Sequence, residues 1–301
     1  MSKLKVHLIL PGGGVRGSFQ GGFIYILTKF FSECFDFVQI DSASAGALNG
    51  TGLCLEMYDD LKKFWLNFNS INDIFTPYSS IPLIGTLVNA YSSYYRMGLN
   101  TNEKLEKIIH DFFAKCSENH LGKINVVVTD LTSSRYKYVN GTDKNFKEYL
   151  KASASPWILT QPTLIDGIHY TDGSLLQQFP LKNLKTVKCD LTMIVGVDSE
   201  YLKYMYSDIG NNLFGYINKV LDVLYLQCNL KDYVKIMELD DRDESVYVSK
   251  YNLDFSPMDF TQENINEGLK QGKREALLFV LNNINLKDFY EVSDYLDVFD
   301  T

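Results

Sequence analysis

Five residues, Ser42-Ala43-Ser44-Ala45-Gly46, stand between the apolar run Phe37-Val38-Gln39-Ile40 and a helix-forming stretch that begins at Ala47. Small residues around a central serine let a strand turn sharply into a helix, which lifts the hydroxyl clear of the sheet. Ser44 is therefore a candidate nucleophile, with Gly46 supporting its turn. The usual form of this turn is G-x-S-x-G, and Ser42 takes the place of the first glycine. The same residues also suit a plain N-cap, in which Ser44 would only accept a helix N–H.

A second cluster lies upstream. The branched run Leu4-Lys5-Val6-His7-Leu8-Ile9-Leu10 breaks into Pro11-Gly12-Gly13-Gly14-Val15-Arg16-Gly17. This reads as a buried strand, a glycine loop and a helix from about residue 18 to 31. Such a loop turns tightly and leaves N–H groups aimed at open space near the positive end of a helix, so it binds anions. Two anions fit. Gly12, Gly14 and Gly17 match G-x-G-x-x-G, with Asp41 placed as a ribose acid, which would make a nucleotide site. The other is the transient oxyanion of an acyl transfer, which additionally requires a serine and a base. A Walker-type loop is excluded, because no Lys-Ser or Lys-Thr follows the glycines.

Candidates for the base begin with the four histidines, His7, His110, His120 and His169. His7 falls inside the first strand, and His110 and His120 lie in or near a charged helix. His169 stands three residues before Asp172, which is itself a candidate base. Gly173 follows it and allows the chain to aim the carboxylate inward. Read alone, Asp172-Gly173 is also an ordinary turn.

Taken together, Gly12 to Gly17, the serine turn at 42 to 46, Ala152-Ser153-Ala154-Ser155-Pro156 and Asp172-Gly173 resemble the patatin-like phospholipases in order and spacing. The resemblance covers about residues 4 to 198, with 126 to 131 and 193 to 198 similar to that family's inner strands. It implies an α/β/α sandwich around a mostly parallel sheet and a serine–aspartate dyad that hydrolyses lipid esters without histidine. Ser44 would be the nucleophile and Asp172 the base. Gly12, Gly13, Gly14 and Arg16 would form the oxyanion hole, with Gly46 and Gly173 in support. Two departures stand out: Ser42 for the elbow glycine, and Ser174 where the family usually has glycine or alanine. They keep open a member that binds lipid without cutting it. The expected partner is lipid at a membrane or micelle surface, and a protein activator is compatible with the resemblance. No cofactor or metal is implied.

Length and composition frame this site. A chain of 301 residues, 46% hydrophobic and 22% charged, can bury a large core. One domain is expected over 1 to 301, with a motif-bearing core to about 198 and a helical elaboration beyond. The net charge of −8 disfavours nucleic acid and simple attraction to anionic membranes. Five scattered cysteines without metal spacing read as reduced, buried thiols. The first strand starts at once, so no cleaved leader is expected. The reading is cytoplasmic or peripheral at a membrane, and secretion without a cleaved leader stays compatible.

The elements that must position the site follow from periodicity. Strands are expected near 4–10, 36–41, 124–130, 135–140, 191–197 and 245–249. Helices are expected near 57–68, 101–116, 210–238 and 261–283, with Thr101 and Thr261 as N-caps. The stretch Ile74 to Tyr95, including Leu83 and Ile84, suits either a lipid-facing lid or a core-packed loop. The acidic run Asp240 to Glu244 reads as a solvated turn, and the tail from Leu286 as a segment packed on its own domain.

Overall fold

The computed structural model describes residues 2–77, 97–98, 100–115, 120–157, 159–200 and 213–284. Of the stretch from Ile74 to Tyr95, Ile74 and Phe75 are buried, whereas residues 78–95 and the tail from Leu286 lie outside the described residues.

The chain opens with β1 (Leu4–Leu10), a single-turn helix at Gly14–Arg16 and α1 (Gly17–Phe30). It continues through β2 (Phe35–Ala43), α2 (Ala45–Cys54) and α3 (Tyr58–Leu66), then a two-stranded pair, β3 (Thr76–Pro77) with β4 (Asn100–Thr101). Next come α4 (Glu103–Lys115), β5 (Ile124–Asp130), β6 (Arg135–Asn140) and α5 (Phe146–Ser153). A short hairpin, β7 (Thr163–Ile165) and β8 (Ile168–Asp172), leads into α6 (Ser174–Gln177). The chain then runs through β9 (Leu191–Asp198), α7 (Leu213–Arg242), β10 (Val246–Tyr251) and α8 (Gln262–Asn283).

One sheet takes the order β10-β9-β1-β2-β5-β8-β7, with β6 also on β5. The pairings from β10 through to β5 are parallel, and those of β6, β7 and β8 are antiparallel. β1 and β9 carry near-continuous apolar runs because both sheet faces are covered. Val6, Leu8, Leu10, Met193 and Val195 face the core built with α1, α2, α3 and α8. Ile9, Ile194 and Val197 face the other way, against Phe179, Leu181 and the α7 residues Leu226, Tyr233 and Ile236. Three layers result, helix on sheet on helix.

The junction that matters lies on β5. Ile124 to Val127 pair with Ile40 to Ala43 of β2, while Val128 to Asp130 pair with Asp172 to Tyr170 of β8. β6 pairs with Asn125 to Asp130 and so occupies the opposite edge. β2 and β8 therefore share one edge of β5 and meet there head-on, at the boundary between Val127 and Val128. The residues leaving these two strands are Ser44 and Gly173, so strand register alone brings Ser44 to Asp172.

Some expected details change. Thr101 belongs to β4 and is one residue too early to cap α4, where the Asn102 carbonyl accepts the Glu106 N–H. Thr261 does cap α8, its side chain accepting from Asn264 N. The start of the acidic run, Asp240 and Asp241, belongs to the end of α7, with Lys250 paired to Asp240 at 2.6 Å, while Asp241, Asp243 and Glu244 are exposed. Cys228 is exposed, contrary to the expectation of buried thiols.

Candidate active site

Ser44 follows β2 with φ 53° and ψ −126°, a left-handed conformation that a residue with a side chain adopts only under strain. The surroundings hold it there. Its N–H donates to Ser153 Oγ at 3.1 Å, and its carbonyl accepts the Ala47 N–H. A Cβ on Gly46 would overlap the carbonyl oxygen of Leu10, so only glycine lets α2 start this close to β1. Ser42, in place of the elbow's first glycine, is fully buried, and its hydroxyl donates to the Asn125 carbonyl at 3.0 Å. That bond explains how a serine is accommodated there.

The Ser44 hydroxyl donates to Asp172 Oδ2 at 2.7 Å. Asp172 Oδ1 accepts twice from Ser174, from its N–H at 2.8 Å and its hydroxyl at 2.7 Å. The backbone of Asp172 is also fixed, its N–H donating to the Ser155 carbonyl and its own carbonyl accepting from Thr129 Oγ1. Gly173 lies where a Cβ would overlap the Val127 carbonyl, which lets β8 turn against β5. Burial pushes the Asp172 carboxyl up to about 6, and the hydrogen bonds from Ser174 and Ser44 oppose the shift. Asp172 is thus a carboxylate at neutral pH with enough basicity to take a proton.

The glycine loop lies beside this pair. A Cβ on Gly12 would come within 2.7 Å of Ser174 Cβ and 3.0 Å of Ser44 Cβ, so the loop backbone presses on both. Gly14 has φ 55°, and a Cβ there would overlap the Pro257 carbonyl. The Gly12 N–H donates to the Gln178 carbonyl at 3.1 Å and so shapes the loop, which corrects its expected place among the oxyanion donors. Among the described residues nothing accepts the N–H of Gly13 or Gly14. Arg16 differs from expectation for a similar reason. Its guanidinium is buried, pairs with Asp198 at 2.8 Å and donates to the Phe255 carbonyl at 3.0 Å, so it braces the loop from behind.

Sequence reading missed the polar network under the loop. Gln20 Nε2 donates to the Pro11 carbonyl at 2.8 Å, and Asn49 Nδ2 donates to the Gly17 carbonyl and to Gln20 Oε1. Trp65 Nε1 in turn donates to Asn49 Oδ1. A few polar residues among apolar helix neighbours were the only available signal, and such residues lack a motif. Gln178 was missed equally, its side chain donating to the Gly12 carbonyl at 3.2 Å.

The histidines lie elsewhere. His7 is fully buried against Asp41 Oδ2 at 2.9 Å, and Asp41 Oδ1 accepts from Asn125, Asn183 and Gln39. Asp41 is therefore committed inside the protein and cannot reach a ribose. A cavity of about 220 Å³, lined by Phe35, Cys54, His120 and Lys123 among others, opens at the amino ends of β2 and β5, away from Ser44. Burial raises the Cys54 thiol there to about 12, which leaves it inert.

A family model described as patatin-like phospholipase matches residues 8–185, which is over half of the chain. The chain belongs to the patatin-like phospholipase family. Membership makes it a relative of lipid acyl hydrolases and covers the strand-turn-helix segments at Gly12 and Ser44 together with Asp172. Among solved structures, VipD from Legionella pneumophila is similar at 13% identity with a TM-score of 0.48, over 94% of this chain and 67% of that one. No curated protein matches the chain. Among the described residues, no helix of this patatin-like protein is long and apolar enough to cross a membrane.

Proposed function

We propose that the protein is a phospholipase A-type lipid acyl hydrolase that works through a Ser44–Asp172 dyad. The 2.7 Å hydrogen bond between the two side chains, at a strained strand-to-helix turn, is the observation that carries this reading. Ser44 Oγ attacks the ester carbonyl carbon while Asp172 Oδ2 takes its proton. Negative charge gathers on the former carbonyl oxygen, where the N–H groups of Gly13 and Gly14 stabilise it. Collapse of the intermediate returns the proton to the departing alcohol and leaves an acyl group on Ser44. Water, deprotonated by Asp172, then attacks that ester, releasing a fatty acid and restoring the serine.

The test is labelling with a fluorophosphonate, followed by hydrolysis of phospholipid in mixed micelles, with and without cell extract. Wild-type protein should label and release fatty acid, whereas Ser44→Ala should do neither and lose at least about 10⁴-fold in rate. A folded wild type that neither labels nor cleaves under any of these conditions would overturn the hydrolase reading in favour of a member of the fold without turnover.

A further inference from the structure

Ser174 is the second of the two residues at which this chain departs from the family pattern, and the geometry gives that departure a use. Its N–H and hydroxyl both reach Asp172 Oδ1, at 2.8 and 2.7 Å, while Ser44 reaches Oδ2. The residue is buried, and a Cβ on the neighbouring Gly12 would lie 2.7 Å from its own, so its rotamer is tightly confined. We propose that Ser174 is a positioning residue of the dyad, whose hydroxyl locks one oxygen of Asp172 so that the other alone faces Ser44 and tunes the carboxylate as a base. This inference rests on the dyad reading above and extends it to a residue that touches no substrate.

The direction of the tuning follows from the donor set. A hydrogen bond donated to a carboxylate favours its charged form, so removing the hydroxyl leaves burial less opposed and moves the carboxyl further up. The other groups that meet Asp172 are the Ser44 hydroxyl from the elbow, the Ser155 carbonyl after α5 and the Thr129 hydroxyl from β5, which bonds the Asp172 backbone. No charged side chain among the described residues contributes to its titration. Burial therefore sets the upward shift, and hydrogen bonds from Ser174 and Ser44 are what oppose it.

The experiment compares wild type, Ser174→Ala and Ser174→Gly, two residues that the family motif tolerates at this position. The Asp172 carboxyl carbon is titrated by ¹³C NMR with labelled aspartate, assigned by its loss in Asp172→Asn. In parallel, kcat/KM for a short p-nitrophenyl ester is followed against pH. Both variants should move the NMR midpoint and the acid limb of the rate profile to higher pH by roughly one unit. Midpoints unchanged from wild type in both variants would overturn the proposal, because a merely structural serine leaves them alone. Ser44→Ala serves as the separate control. If it retains the ester rate, the dyad reading falls and this inference falls with it; if it is inactive and the midpoints do not move, only the role of Ser174 falls.

Discussion

Burial of Asp172 acts on rate and on stability with opposite signs. Its carboxyl titrates near 6 in the folded protein against an ordinary 3.8, chiefly because it is removed from water. In the proposed dyad the base must be ionised, so kcat/KM of the wild type is expected to fall as pH drops through about 6. Stability runs the other way. Between 3.8 and about 6 the folded chain keeps a proton that the unfolded chain releases, so the contribution of this group declines as pH rises and stays reduced above 6. Asp172→Asn removes that penalty and keeps an oxygen for the two donors of Ser174. The variant should be inactive yet more stable than wild type at pH 8, by about 3 kcal/mol, with little difference at pH 4. Urea denaturation at both pH values measures this, and an equal effect at the two would refute it. At Gly14 the demand is steric, since alanine would take φ 55° and collide with Pro257. Gly14→Ala should lower kcat by about a hundredfold through displacement of the proposed oxyanion donors, with a smaller change in KM.

Elements carry the next level of control, because the glycine loop is held by helices as well as by its own strand. Asn49 of α2 joins the Gly17 carbonyl, Gln20 of α1 and Trp65 of α3 within a site that excludes water. Asn49→Ala would strand the Trp65 N–H and the Gln20 side-chain carbonyl. It should cost roughly 3 kcal/mol, seen as a clear drop in Tm, and should slow fluorophosphonate labelling as the loop loosens. An unchanged Tm would show that water replaces the amide. This network also marks the limit of what was legible beforehand. The strands at 4–10, 124–130 and 135–140 and the helix at 261–283 follow from apolar periodicity, and their observed bounds agree to within a residue. The β7–β8 hairpin does not, because strands of three and five residues around Asp166-Gly167 contain too few alternations to register. The strand-to-helix turn at Ser44 was nonetheless readable, since such a turn requires small residues in sequence, and the family resemblance pointed to Asp172 as its proposed partner. Gln20, Asn49 and Gln178 were not, because their partners, backbone carbonyls together with the side chains of Trp65 and of one another, are remote in the chain and follow no spacing rule.

For the whole molecule, the central question is how far the catalytic unit extends beyond the family match that ends at residue 185. The loop that holds Gly14 is pinned from outside that segment. The Val15 N–H donates to the Pro257 carbonyl, and Arg16 reaches Asp198 and the Phe255 carbonyl. β10 adds a parallel strand to β9, and α8 packs on α1 so closely that a Cβ on Gly22 or Gly272 would overlap the facing backbone. Burying α8 covers Ile265, Leu269, Ala276, Phe279 and Val280 against the main core. Each of those larger side chains contributes about 1.5–3 kcal/mol on transfer from water, an amount comparable in sum to the stability of an ordinary domain. A fragment of residues 1–200 keeps Ser44, Asp172 and every residue of the family match but lacks α7, β10, α8 and the Pro257 and Phe255 contacts. It should therefore fail to unfold cooperatively and should not label with a fluorophosphonate. Calorimetry and labelling of the purified fragment decide the point. A soluble fragment with a sharp transition and Ser44-dependent labelling would mean that the C-terminal third only decorates a self-sufficient core, whereas loss of both would mean that the oxyanion loop is assembled by the full chain.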